Sequence, residues 1–308
     1  MKIQNKIKYF FLENKPKDEC GIFGVSNDQN AGNLVALGLH ALQHRGQDST
    51  GIVTSDKNNF YAHRGMGQVS EVFSNKELLN TLKGSMSIGH NRYGTTGESA
   101  LKNVQPLFSE LSVGGVAIAH NGNLTNTHQL KEKLIKSGSI FQSTSDTEVI
   151  LHLLSTASGT LLERLTYALN SISGAYSLLI MTNSKLIGVR DPFGIRPLVL
   201  GKYKNSYILS SESCGLDIIG AELIRDIEPG EIVVIKENKL ESIKPFKKTK
   251  LRPCLFEYIY FSRPDSLLNG KCAYEYRKNL GYQLAKENED IGDIIVPVPD
   301  SGVPAALG

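Results

Sequence analysis

Cysteine is scarce in this sequence. Cys20, Cys214, Cys254 and Cys272 are the only four among 308 residues. Their wide spacing excludes a disulfide framework and a local zinc pattern, and it fits a reducing, cytoplasmic setting. An excess of charge is also missing. The 34 Lys and Arg against 31 Asp and Glu leave a net charge of +3, too little for a nucleic-acid partner. The basic run Lys244 to Lys250 reads as a solvated linker. Long apolar runs are absent as well. Ile7 to Leu12 is interrupted by Lys8 and is too short for a signal or a membrane span, so no membrane partner is expected. No internal repeat is present, which excludes repeat arrays.

What remains is ordinary for a soluble globular chain: 40% hydrophobic and 21% charged residues, long enough for about two domains. The informative stretch is Asp18-Glu19-Cys20-Gly21-Ile22-Phe23-Gly24-Val25. A cysteine stands at the head of a short apolar strand, behind two acids. The polar, lysine-rich residues 1–19 read as a leader. If it is removed, Cys20 becomes an N-terminus with a thiol of ordinary pKa about 8.5 and an α-amine of about 7.7–8.0. That amine takes the thiol proton directly or through water, and no separate histidine is needed. The competing reading is a buried core cysteine.

Along the chain, Gly21 to Val25 is predicted as a strand and Asn33 to Gln43 as a buried helix closed by Gly46. His44 has no partner pattern and is given a structural role. Gly51 to Thr54 and Phe60 to His63 form a hairpin, and Glu77 to Leu82 a short helix. Strand Ser85 to His90 delivers Arg92 into a Gly/Thr-rich turn suited to wrapping a ligand. Strand Val113 to His120 ends at Asn121-Gly122, followed by a helix from Thr127. At a strand-to-helix corner this dipeptide offers a side-chain amide beside a backbone N–H, the two donors of an oxyanion hole; a plain hairpin turn is the alternative. Ser145 and Glu148 have capping-box spacing, which leaves Asp146 in the first helical turn, facing a cation or supporting the helix dipole. From Gly174 onward, short strands are expected to build a second sheet. Two antiparallel sheets with helices outside them make a four-layer sandwich. After the linker, Phe256 to Phe261 is expected as an aromatic strand, Tyr274 to Asn288 as a helix, and Asp293 to Pro297 as a buried parallel-type strand.

The ordered set CGIFGV (20–25), HRGQDS (44–49), GHNRYGTTG (89–97), AHNGNL (119–124), STSDTE (143–148), DPFGIRPL (191–198), SES (211–213) and FEYIYFSRPDS (256–266) resembles the glutamine phosphoribosylpyrophosphate amidotransferases, or amidophosphoribosyltransferases. The resemblance runs from Asp18 to the end. The first five motifs are shared, more loosely, by all class II glutamine amidotransferases; the last narrows the match to the purine-pathway family.

The resemblance implies an α+β fold: a four-layer αββα N-terminal-nucleophile sandwich, followed by the start of an α/β type I phosphoribosyltransferase domain. The implied divisions are a leader at 1–19, a glutaminase domain at 20–250 and an incomplete phosphoribosyltransferase beginning at 251–308. Cys20 is then the nucleophile that attacks glutamine and releases ammonia. Asn121 and Gly122 are the oxyanion donors, Arg92 holds the substrate α-carboxylate, and Asp146 accepts its α-ammonium. Glutamine is one implied partner. Phosphoribosylpyrophosphate is the other if the second domain is complete, and a homo-oligomer is expected. The glutaminase half needs no cofactor, and the phosphoribosyltransferase half uses Mg2+. The family's phosphoribosylpyrophosphate-binding stretch is not found in these residues, so this chain alone is expected to support only glutamine hydrolysis. Cys254 matches the first of four cysteine ligands of a [4Fe-4S] cluster present in some members. The alternatives are another class II amidotransferase, a self-cleaving amidohydrolase with a different amide substrate, and a truncated chain that does no chemistry. Arg92 and Asp146 argue against the amidohydrolase, and retention of all five site residues against the last.

Overall fold

A computed structural model describes residues 20–94, 100–288 and 292–308. The leader at 1–19, the Glu19–Cys20 junction and the Thr95-Thr96-Gly97 part of the ligand-wrapping turn lie outside the described residues. Two antiparallel sheets dominate. The first contains seven strands in the order β11-β9-β10-β1-β4-β2-β3, and the second six in the order β13-β12-β8-β7-β6-β5. The strands of the first half are β1 (Gly21–Val25), β2 (Ser49–Ser55), β3 (Phe60–Met66), β4 (Met86–Arg92), β5 (Leu107–Leu111) and β6 (Gly114–Leu124). Those of the second half are β7 (Gly174–Met181), β8 (Leu186–Arg190), β9 (Val199–Tyr203), β10 (Ser206–Ser210), β11 (Glu222–Asp226), β12 (Ile232–Lys236) and β13 (Lys239–Ile243).

Three apolar layers account for the sandwich. Between the sheets, Ile22, Val53, Ile88, Leu200 and Leu209 meet Ala117, Ala119, Leu179, Met181, Leu186 and Val233. Outside the first sheet, Phe23, Val25 and Ile52 meet Leu34, Val35 and Leu39 of α1 (Ala31–Ala41). Outside the second, Val116, Ile118, Leu178 and Ile180 meet α5 (Thr147–Thr156) and α6 (Leu161–Ser171). Alternate residues of one strand therefore serve alternate layers, as a pleated strand buried on both faces requires. The remaining helices are α2 (Val69–Val72), α3 (Lys76–Thr81), α4 (Thr127–Lys136), α7 (Cys214–Asp217), α8 (Ala273–Glu287) and α9 (Val303–Leu307).

Several expectations are corrected. The strands after Gly174 do not form one sheet: β7, β8, β12 and β13 join the second, whereas β9, β10 and β11 join β1 in the first. Gly46 closes a short 3-10 turn in extended backbone, φ −173°, and α1 ends earlier at Leu42. Asn121 and Gly122 are not at a corner, because β6 continues to Leu124 and pairs them with Ser177 and Tyr176 of β7. Ser145 and Glu148 make no capping box. Glu148 instead accepts from the Gln142 and Ser143 amides at 2.7 Å each, clamping the preceding loop. Phe256 to Phe261 is no strand: Glu257–Phe261 is a π-helical turn, burying Glu257, Tyr258 and Phe261 and exposing Ile259 and Tyr260. That is a helical spacing of buried positions. Asp293 to Pro297 forms no strand either. Ile294, Ile295 and Val296 are 80%, 73% and 81% exposed, and a buried-type strand has no ladder without a paired neighbour. The helix α6 is an addition to the expected elements, and Thr160 and Glu163 form the reciprocal cap that its sequence signals.

The Phe23 ring is fully buried where α1 crosses the first sheet, burial worth about 1.5–3 kcal/mol. A Cβ on Gly38 would stand 2.5 Å from that ring, and one on Gly215 3.1 Å from it. The ring has no flexible end with which to yield. Gly38→Ala should therefore lower stability by a net of about 1–2 kcal/mol, an overpacking cost of about 2–3 less the roughly 1 kcal/mol that alanine gains in a helix. An unchanged or raised urea midpoint would show that the helix can lift without loss.

Candidate active site

Strand parity brings the sequence-predicted residues to one end of the seam between the sheets. In β1, Ile22 faces the seam and Phe23 faces α1; Cys20 continues the parity of Ile22. In β4, Met86 and Ile88 face the seam, and His90 and Arg92 continue that series. In β6, Ala117 and Ala119 face the seam, and Asn121 follows them. Gly21 pairs with Asn91, so Arg92 lies beside Cys20 at the end of the ladder. Cys20, Arg92 and Asn121 are all buried. Ser211 links two of the elements: its Oγ accepts from the Ile22 amide at 3.0 Å and lies 3.5 Å from Asn121 Nδ2. The 3.5 Å contact is long, and Asn121 Oδ1 is buried with no hydrogen-bond partner. The Asn121 amide is thus only lightly committed to protein partners.

Gly122 has φ +146°, and a Cβ there would stand against the Ala175 carbonyl oxygen. The conformation is a glycine one, and it lets the chain leave Asn121 with its main chain turned as other residues do not permit.

Asp146 is the N-cap residue of α5 and makes no side-chain cap bond. Its Oδ2 accepts from the Leu124 amide at 3.0 Å, which ties the helix start to the end of β6. Its Oδ1 lies 3.6 Å from His120 Nδ1. Burial alone would push the Asp146 carboxyl up, but His120 and the Leu124 and Thr147 amides outweigh it and hold the group below the ordinary range. It is therefore a carboxylate at neutral pH, with lone pairs to spare for a cation. His120 lies on the face of β6 opposite Asn121 and contacts Thr147 Oγ1 at 3.1 Å.

Sequence reasoning missed Arg45 and its partners. Arg45 is fully buried; its Nε donates to the Cys20 carbonyl oxygen at 2.8 Å, and its Nη atoms donate to Glu212 at 2.6 Å and Glu257 at 2.8 and 2.9 Å. Burial would push Glu212 and Glu257 up, but Arg45 overcomes it and holds both carboxyls well below the ordinary range. No spacing rule would have found this group, because its members are 167 and 212 residues apart. His44 Nε2 lies 2.8 Å from Glu212 Oε1.

Among the described residues, His44, Glu212 and Cys214 are the one grouping of three ligand-type side chains. The Arg45 guanidinium on Glu212 already supplies the neutralising cation there, so the hydrogen-bond network accounts for the cluster. Cys254 is half-buried in the loop that donates its amide to Ile195 O at 3.2 Å, and it belongs to no such grouping. Residues 251–308 likewise present no grouped ligands for Mg2+ among the described residues. No helix of the described residues is long and apolar enough to cross a membrane.

Residues 90–217 match the glutamine amidotransferase domain model. The chain is 52% identical over 297 residues to an amidophosphoribosyltransferase of Rhizobium etli, covering 94% of this chain and 60% of that protein. It is 44% identical over 293 residues to the Bacillus subtilis amidophosphoribosyltransferase, covering 94% of this chain and 61% of that one. A solved structure of glutamine phosphoribosylpyrophosphate amidotransferase from B. subtilis, complexed with ADP and GMP, superposes with a TM-score of 0.89 at 42% identity, covering 94% of this chain and 63% of that one. The chain thus spans about 60% of the length of the curated relatives it matches.

The buried groups make stability sensitive to acid. His90 is fully buried, and burial lowers its pKa to about 3 against an ordinary value near 6.5. Below about pH 6.5 the unfolded chain therefore takes up a proton that the folded one refuses. Glu212, Glu257 and Asp146 are also depressed, so their contribution is intact above about pH 4.5 and is lost as pH falls through their folded values. Urea midpoints should begin to fall near pH 6.5 and fall faster below about 4.5. His90→Gln should flatten the upper limb alone; an unchanged upper limb would mean that His90 is charged in the folded protein.

Proposed function

From the chain's similarity to amidophosphoribosyltransferases and to the glutamine amidotransferase domain, we propose that it belongs to that family and that residues 20–250 are a glutaminase domain acting through a thioester on Cys20. The observation that carries this reading is the shared parity of Cys20, Arg92 and Asn121 at one end of the inter-sheet seam, with Asp146 tied to the end of β6. That assembly offers a nucleophile, a guanidinium, a lightly committed amide donor and a carboxylate. It suits a free α-amino acid with a side-chain amide to be cut.

In this mechanism the bond between Glu19 and Cys20 is cut first, which frees the α-amine. The amine takes the thiol proton, and the thiolate attacks the glutamine side-chain carbonyl carbon. Asn121 Nδ2–H and the Gly122 N–H meet the oxyanion as it forms. The intermediate collapses, the C–N bond breaks, and the amine returns the proton to the leaving ammonia. Water then hydrolyses the thioester, releasing glutamate and restoring the thiol. Arg92 receives the α-carboxylate in a two-pronged contact, and Asp146 receives the α-ammonium.

In the whole enzyme this ammonia displaces pyrophosphate from phosphoribosylpyrophosphate, giving 5-phosphoribosylamine for purine synthesis. Residues 251–308 are the start of the type I phosphoribosyltransferase domain responsible, which uses Mg2+. By the same resemblance the enzyme is cytoplasmic and a homo-oligomer.

Cys20→Ala should abolish glutamine hydrolysis without changing the fold, and active wild-type protein should begin at Cys20 by N-terminal sequencing. Full activity from a chain that still begins at Met1 would overturn the amine-base mechanism. Asn121→Ala should lower kcat about 10²–10³-fold with a smaller change in KM. A raised KM with unchanged kcat would make Asn121 a binding residue instead. Arg92→Lys should not recover the activity lost in Arg92→Ala, since a point charge does not reproduce the fork; equal activity of Lys and Arg would count against carboxylate binding.

A further inference from the structure

The Arg45 cluster touches the nucleophile residue, yet the chemistry above makes no use of it. Of the guanidinium's hydrogen bonds, one goes to the Cys20 carbonyl oxygen and three go to the carboxylates of Glu212 and Glu257. Both carboxylates are held in turn by the segment after the basic linker. Glu212 Oε2 accepts from the Arg263 amide at 2.9 Å and from Ser266 Oγ at 2.6 Å. Glu257 lies in the π-helical turn of that segment, and its Oε2 accepts from Ser262 Oγ at 2.9 Å. Arg277 of α8 clasps the same turn, with Nε on Tyr258 O at 2.9 Å and Nη2 on Ser262 O at 2.7 Å. Arg196 Nη1, 3.3 Å from Glu257, balances the second carboxylate.

The buried Nε–H needs an acceptor, and the one it takes is the main-chain carbonyl of Cys20. The guanidinium is a rigid planar fork, so its Nη partners fix the direction of its Nε–H. A shift of Glu257 therefore turns the donor that holds the Cys20 carbonyl, and with it the Cα–Cβ bond that aims the thiol. A misplacement of about 1 Å in such a site costs about 10² in rate.

We propose that Arg45 is a positioning residue for Cys20, and that Glu257 and Arg277 make the 257–277 segment the element that sets its orientation. The inference rests on the glutaminase reading, so the experiment separates the two. Arg45→Lys, Glu257→Gln and Arg277→Met are made in the full chain. Three quantities are read: kcat and KM for glutamine, the iodoacetamide alkylation rate of Cys20 by peptide mass spectrometry, and the thermal midpoint. The alkylation rate involves no glutamine.

Arg45→Lys and Glu257→Gln should lower kcat about 10–100-fold with KM within about threefold, and change the Cys20 alkylation rate at least about threefold. Arg277→Met, away from the nucleophile, should act in the same direction by about fivefold. Should Arg45→Lys fail to fold, the Arg277 and Glu257 variants carry the test. Folded variants with wild-type kcat and alkylation rate but a lowered midpoint would make the cluster purely structural and overturn the proposal. Wild-type protein that does not hydrolyse glutamine would overturn the glutaminase reading instead, and the alkylation rates alone would then decide whether the segment orients Cys20.

Discussion

A fully buried guanidinium constrains this molecule more than any other single group. Arg45 cannot shed its charge, and burying it is costly unless carboxylates and carbonyls surround it. The surrounding groups come from Cys20, from Glu212 just after β10, and from Glu257 beyond the linker. Satisfying one side chain thus draws the start of the first strand, the end of a middle strand and the C-terminal segment to one point. Glu257 also explains why its segment is a helical turn: a strand would alternate its faces, whereas the turn buries Glu257, Tyr258 and Phe261 together.

The sandwich supplies the second constraint. Its inner strands are buried on both faces, so each of their residues is committed either to the seam or to a helical layer. At the end of the seam the apolar series gives way to cysteine, arginine and asparagine on neighbouring strands. Among these, the Asn121 side chain is lightly engaged, its Oδ1 buried with no hydrogen-bond partner. A donor left lightly engaged by the protein is free to meet a transition state, the role proposed above for Asn121. The other face of β6 behaves differently: His120 is tied to Thr147, and α5 returns Asp146 to the strand end.

Much of this was legible in the residues. Glycine after Cys20, the apolar run into Asn121-Gly122, and Asp146 at a helix start are local signals, and local signals survive folding. So are the Phe60 hairpin and the Ala273–Glu287 helix, read to within a few residues. The failures have a common origin. An apolar or aromatic hexapeptide such as Phe256 to Phe261 is compatible with a strand or a helical turn, and its partners decide between them. The capping-box spacing at Ser145 was real, but Glu148 found better donors in the loop before it.

By itself the sequence pointed to the candidate nucleophile Cys20, to Asn121-Gly122 after an apolar run and to Asp146 at a helix start, because these are local patterns of the chain. Only the tertiary structure decided which of the two sheets β9, β10 and β11 would join, that Asn121 and Gly122 lie within a strand, and that Arg45 holds the Cys20 carbonyl. Those outcomes depend on groups as far as 212 residues apart. A buried charge selects its partners by proximity in the folded chain, and no periodicity in the sequence records that choice.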